Sequence, residues 1–214
     1  MIPLNAEQVM RATGATRAHA ELYLPFLQGT CKAYDITSPK RIIGFLSQIG
    51  VESAGLSQIE ENLNYSVAGL LRTFGRHRIS AEDAHAYGRR RGQAADQKEL
   101  AIILYGGEFG RKNLGNTGVS DGWLYRGRGL KQLTGRWNYA ACGKAIGEDL
   151  IAHPERLLLP VNAALSAGWF WNSKGLNAVA DKGDVVEMTL RVNGGANGLD
   201  RRMALWSQGQ GVFA

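Results

Sequence analysis

The chain has 214 residues, 44% of them hydrophobic and 21% charged, enough apolar material for one domain or for two lobes sharing a core. Twenty-five Lys and Arg against 19 Asp and Glu leave a net charge of +6, which suits an anionic partner such as nucleic acid, an acidic wall polymer or a membrane surface without choosing among them. Cys31 and Cys142 lack C-x-x-C spacing and the four scattered histidines lack an H-E-x-x-H pattern, which argues against a disulfide scaffold and against a metal centre, so the expected chemistry needs no cofactor.

Two helices, around residues 6 to 14 and 17 to 28, open the chain, the first with a capping-box pattern from Asn5 to Gln8. Ser38 and Pro39 read as an N-cap and first-turn proline, after which Ile42, Phe45, Leu46 and Ile49 recur at helical spacing and face a core. Glu52 continues that stripe where the helix ends, so desolvation is expected to favour its protonated form. Gly55 supplies a stop and a turn. The segment from about 56 to 65 is the place for a small hairpin or irregular β segment. Ser66, Ser80 and Thr134 are further N-cap candidates, and Asp184 to Glu187 is a second capping-box pattern. Seven to nine helices fit, and runs of alternating apolar and polar residues are nearly absent. Arg89-Arg90-Arg91 reads as a solvated helix end.

Residues 106 to 129 hold eight glycines with Asn113, Asn116, Trp123 and Tyr125, and a glycine-rich loop of that length inside a compact domain is usually functional. The Gly127-x-Gly129 after it lacks the third glycine of a dinucleotide fingerprint and suits close backbone approach to a ligand instead. Gln132, Thr134 and Asn138 offer amides and a hydroxyl for sugar hydroxyls, N-acetyl groups or a water. No basic-then-apolar leader opens the chain and no apolar run reaches roughly eighteen residues. The expectation is a soluble product with no signal peptide and no stable membrane insertion.

Glu52 and Glu61, nine residues apart, cannot share a helix face, since steps of about 100° put them on opposite sides. They can line one cleft only if the chain turns between them. Opposed carboxylates across a cleft are what glycoside hydrolysis needs. Glu61, among Glu60, Asn62 and Asn64, is expected to stay charged and act as base. Spacing alone leaves open the alternative of a helix-end residue and a solvated acid.

Five ordered blocks resemble the family 19 glycoside hydrolases, chitinase-like enzymes of the lysozyme superfamily, and most of all their phage endolysin branch. They are Gln48-Ile49-Gly50-Val51-Glu52-Ser53, Glu61-Asn62-Leu63-Asn64-Tyr65-Ser66, the Gly- and Arg-rich block at 120 to 135, Ala167-Gly168-Trp169-Phe170-Trp171, and Val192-Asn193-Gly194-Gly195. The resemblance implies a mainly α, two-lobed lysozyme-like fold in a single catalytic domain over 1 to 214, residues 1 to 38 packing on the core. It assigns the general acid to Glu52, the general base to Glu61 and water positioning to Thr134. Gln132, Asn138 and Asn193 match sugar-contacting amides, Arg201 falls near a cleft arginine, and Tyr65 and Trp123 are taken as aromatic substrate contacts. The implied mechanism is a single inverting displacement, with the carboxyl groups roughly 6.5 to 9.5 Å apart.

Val51 and Ala54 stand where the family commonly has His and Gly, so tuning of Glu52 by that histidine is absent. The implied substrate is the β-1,4-linked glycan of peptidoglycan, cut by a monomer that waits in the host bacterial cytoplasm and reaches the wall through a holin-type pore. Chitin is the alternative substrate, a catalytically inactive wall-glycan-binding module the alternative class. Nucleic acid has no matching motif.

Overall fold

The computed structural model describes residues 4–213. Its α-helices, in chain order, are α1 Ala6–Thr13, α2 Arg17–Ala33, α3 Pro39–Glu52, α4 Val67–Thr73, α5 Ala81–Tyr87, α6 Gln97–Tyr105, α7 Gly107–Asn113, α8 Asp121–Leu124, α9 Arg136–Ile146, α10 Pro160–Ser173, α11 Leu176–Lys182, α12 Val185–Asn193 and α13 Leu199–Gln210, with a 3-10 helix at Pro154–Leu158. Strand pairing among the described residues is limited to isolated bridges, including Glu60 with Arg128 and Ser66 with Arg89. The fold is therefore mainly helical, as the patterning predicts.

Caps account for most helix starts. Asn5 accepts from the Gln8 N–H while Gln8 returns a bond to the Asn5 N–H. Ser38, Ser66, Ser80 and Asp184 each accept from the backbone three residues on, satisfying one of the orphan donors that every helix start exposes. Three expectations need correction. Thr134 is no cap: Gly135 holds that position before α9, and the Thr134 hydroxyl donates to the Gln132 carbonyl at 3.1 Å. The glycine-rich stretch is not one long loop, because α7 and α8 form within it. Helices exceed nine because several run only four to nine residues, too short to show a clear apolar period. Of the two alternatives for the 56–65 segment, the irregular one holds: its β pairing is a single bridge from Glu60 to Arg128, far along the chain.

The core is organised around α3, which is buried on nearly all sides from Ile42 to Gly50. Helices α1, α11, α12 and α13 pack on it, Phe45 meets Trp171 edge to face at 5.6 Å, and this lobe buries Leu27, Ile36, Met188 and Trp206 as well. A second cluster, with Leu63, Leu70, Ile79, Leu100 and Leu104, unites α4, α5 and α6. A third, with Tyr125, Leu133, Tyr139 and Leu157, gathers α9 and the 3-10 helix. The chain leaves the first lobe for the second just after Glu52, through Ala54, Gly55 and Leu56 in succession at φ 48°, 69° and 63°. Left-handed backbone costs a non-glycine residue about 1–2 kcal/mol, so this reversal is strained. Bonds from Gly55 N–H to the Gly50 carbonyl (2.7 Å) and from Leu56 N–H to the Ser53 hydroxyl (3.0 Å) hold it.

A side chain at position 55 would be strained by its φ and would put Cβ 2.8 Å from the Gly14 carbonyl oxygen. Gly55→Ala is expected to destabilise by about 2–4 kcal/mol, lowering Tm by roughly 5–10 °C. Gly29→Ala, on α2 with nothing near its Cβ position, is expected to gain about 0.5–1 kcal/mol. Thermal unfolding of the two variants checks both signs.

Candidate active site

Glu52 is the last residue of α3, where the helix presents the negative end of its dipole. A carboxylate there needs cations, and two are supplied. Lys131 Nζ donates to Oε2 at 2.8 Å, and Arg202 Nη2 donates to Oε1. Arg202 reaches in from α13, is 2% exposed, and also donates through Nη1 to the Gln48 side-chain oxygen at 2.6 Å. Glu52 itself is 11% exposed. Both of its oxygens are acceptors.

Glu61 lies on the irregular segment and is held from the other direction. Its N–H donates to the Gly127 carbonyl at 3.0 Å, while the Gly127 N–H and the Tyr105 hydroxyl each donate to Oε2 at 3.1 Å. Neighbouring Glu60 takes the direct ion pairs, with Arg126 at 2.6 Å and Arg128 at 3.0 Å. Oε1 of Glu61 is buried with no hydrogen-bond partner among the described residues. Burial pushes the Glu61 pKa above the ordinary carboxylate value, against the opposing pull of Tyr105, Gly127, Arg126 and Arg128. Burial also raises the Tyr105 hydroxyl, which keeps it a hydrogen-bond donor to Glu61.

Glu52, expected to be held dry, is dry and is also clasped by two cations, whereas Glu61, expected to be wet and charged, is perturbed by burial. Polar residues beside Glu61 in the chain do not surround it in space: Glu60 turns to the arginines, and Glu61 turns into the body of the protein.

One short segment serves both carboxyls. Gly127 holds Glu61 and Lys131 holds Glu52, so five consecutive residues span the pair. A Cβ on Gly127 would stand 2.7 Å from Glu61 Oε2 and 3.0 Å from Gln132 Oε1, so only glycine lets the backbone pass between them. Gln132 sits at a left-handed φ of 57° and ties the segment back to the post-α3 turn through Nε2 to the Gln58 carbonyl at 3.0 Å. Gln132, Thr134 and Asn138 converge with Lys131, Leu114 and Phe170 around a pocket of about 200 Å³, and Asn138 Nδ2 donates to the Thr134 carbonyl at 2.8 Å.

Other expected contacts lie elsewhere. Asn193 is exposed at the end of α12, donating to the Gly195 carbonyl at 3.3 Å. Tyr65 packs on Phe74 at 5.5 Å, and Trp123 lies beneath the Arg126 guanidinium at 3.5 Å; neither lines that pocket. Arg201 is exposed beside Gly14, whereas its neighbour Arg202, which the sequence reading passed over, is buried on Glu52. The signal was present in helix phase, since Arg202, Leu205, Trp206 and Gly209 form the buried stripe of α13. Lys131 and Tyr105 were missed, and nothing in local spacing aims either at a glutamate.

Among the described residues no cluster of His, Cys, Asp and Glu is arranged to hold a metal. Cys31 and Cys142 are free and buried, their thiols pushed up to about 12 by desolvation. No helix of the described residues is long and apolar enough to cross a membrane.

A family model described as chitinase class I, glycoside hydrolase family 19, matches residues 108–186, a span that contains Lys131, Gln132, Thr134 and Asn138 and excludes both glutamates. A glycosyl hydrolase family 19 domain-containing protein of Haemophilus influenzae is 37% identical over 163 residues, 76% of this chain and 74% of the relative. Endochitinase 1 of Theobroma cacao is 46% identical over 57 residues, 26% of this chain and 18% of that protein. Among solved structures, chitinase C from Streptomyces griseus superposes with TM-score 0.58 at 18% identity, over 98% of this chain and 76% of that one. A bacterial family 19 chitinase superposes at 0.62 and 17% identity, over 100% and 96%. At such identities the superpositions speak for the fold.

Tyr105→Phe removes a bond that favours ionised Glu61. The folded-state pKa of Glu61 is therefore expected to rise further, moving the low-pH limb of kcat/KM to higher pH, at a stability cost of about 0.5–1.5 kcal/mol. A limb that stays put or moves down overturns the assignment. Arg202→Ala leaves Glu52 short of its buried partner and is expected to cost about 3–5 kcal/mol, against roughly 0.5 kcal/mol or less for Arg201→Ala; denaturant melts separate them.

Proposed function

The chain belongs to glycosyl hydrolase family 19 and is a glycoside hydrolase, and from that premise we propose that it cleaves the β-1,4 bonds of bacterial peptidoglycan by an inverting displacement. The observation that carries the reading is the pair of carboxyls held on one five-residue segment, Glu52 through Lys131 and Glu61 through Gly127. Such a frame ties two carboxyls to one segment, as an acid and a base acting on a single sugar require.

Glu52 is the general acid and protonates the departing glycosidic oxygen. Glu61 is the base that takes a proton from the attacking water, and Thr134 helps to hold that water. A carboxylate whose pKa is raised toward the working pH is a stronger base than a solvated one, so the burial of Glu61 supports its role for a reason opposite to the one read from its neighbours. Glu52 must acquire a proton before it can donate one, which requires its clasp by Lys131 to loosen when substrate enters. Proton balance is then simple. Glu52 gives a proton to the leaving sugar, Glu61 receives one from water, and the hydroxide equivalent joins the anomeric carbon from the opposite face.

Peptidoglycan is favoured over chitin by the net charge of +6, which draws the enzyme to an anionic wall. An endolysin role follows from that substrate, with delivery across the host membrane through a holin-type pore. Chitin is the second reading, favoured by the endochitinase and chitinase names of several relatives and structural neighbours.

Turbidity loss of outer-membrane-permeabilised Gram-negative cells is expected, together with release of fragments from purified peptidoglycan whose new reducing ends are first α by NMR. Glu52→Gln and Glu61→Gln are each expected to lower the rate about 10²–10⁴-fold. An activated aryl leaving group should restore Glu52→Gln more than Glu61→Gln. Activity confined to chitooligosaccharides overturns the wall substrate; an initial β product overturns the inverting assignment.

A further inference from the structure

The two cations on Glu52 differ in kind. Arg202 is fixed, 2% exposed and bonded to Gln48 as well as to Glu52. Lys131 is 14% exposed, its only ion pair among the described residues is Glu52, and it lines the 200 Å³ pocket together with Gln132, Thr134, Asn138 and Phe170. Its ammonium also stands 4.8 Å from the centroid of the Phe170 ring. A second ammonium, Lys174 at the end of α10, stands 5.6 Å from the same ring. Lys174 is exposed and forms no ion pair among the described residues. Two cations thus approach one aromatic side chain in the wall of the pocket, one of them unpaired and the other borrowed from a carboxylate that must become an acid.

We propose that Lys131 and Lys174, gathered about Phe170, form a subsite for a carboxylate of the glycan substrate, and that occupation of this subsite draws Lys131 off Glu52 and arms it. The inference rests on the wall-glycan reading: the stem peptide of a wall glycan, or the lactyl group of a muramyl residue without one, carries carboxylates, whereas chitin carries none. Lys131 exchanges one carboxylate partner for another. Glu52, still anchored by Arg202 from α13 and with Gln48 behind it on α3, then takes a proton from solvent and passes it to the glycosidic oxygen. A neutral glycan leaves Lys131 on Glu52, so the same lysine that recruits an anionic strand works against a neutral one. Selectivity and acid activation become one event.

The test compares native peptidoglycan with the same material after its carboxyls have been amidated, using the full chain and its Lys131→Met, Lys131→Arg and Lys174→Met variants. Wild type is expected to cut native material faster than amidated. Lys174→Met, at an exposed position that the fold does not depend on, is expected to lower the native-to-amidated ratio of kcat/KM about two- to fivefold, through KM. Lys131→Met is expected to lower that ratio about tenfold and to shift the high-pH limb that reports the acid, with most of the ratio restored in Lys131→Arg. Equal losses on both substrates, or a wild type indifferent to amidation, overturn the subsite. A wild type inactive on native peptidoglycan while active on chitooligosaccharides overturns the wall-glycan reading itself, which is a different result.

Discussion

The active-site geometry depends on the grip of the Gly127–Lys131 segment on two carboxyls that belong to different parts of the fold. Glu52 ends the central helix of one lobe, and Glu61 lies on the irregular chain that leads to the other. Neither lobe fixes the separation between them. The segment does so by hydrogen-bonding Glu61 in both directions through Gly127 and pairing Glu52 with Lys131. Leu130 anchors it in the α3 core, and Leu133 just beyond it joins the cluster around α9.

The strain near the site follows from this arrangement. A central helix packed on nearly all sides cannot tilt to bring its last residue toward a partner, so the chain beyond it must reverse within a few residues. The left-handed run Ala54-Gly55-Leu56 is that reversal, and Gln132 on the facing segment is also left-handed. Strained residues of this type persist only where the surroundings over-determine them. Here the surroundings are the hydrogen bonds of Ser53, Gly50 and Gln58.

Electrostatics divide the labour between the two carboxyls. The C-terminal end of α3 repels negative charge, and Lys131 and Arg202 offset that field at Glu52. Among the described residues Glu61 has no direct ion pair, because Glu60 engages both nearby arginines, and it relies on neutral donors in a buried setting. One carboxyl is therefore surrounded by cations and the other by neutral donors.

Local order in the sequence determined the helical class, the capped starts at Asn5, Ser38, Ser66, Ser80 and Asp184, the buried stripe of α3, and the turn that follows Glu52. These depend on interactions between residues within a few positions, which spacing and residue type record directly. The block around Gln132, Thr134 and Asn138 was legible as polar groups near a helix start, and the structure does gather them. Only tertiary packing decided which arginine of the adjacent pair reaches Glu52, that Lys131 joins it, that Tyr105 and Gly127 hold Glu61, and that Glu61 turns away from solvent. The partners of Glu52 lie 79 and 150 positions away along the chain, and Tyr105 lies 44 from Glu61. The charge environment of a side chain is set by what surrounds it in space, and chain neighbours such as Glu60 can turn elsewhere.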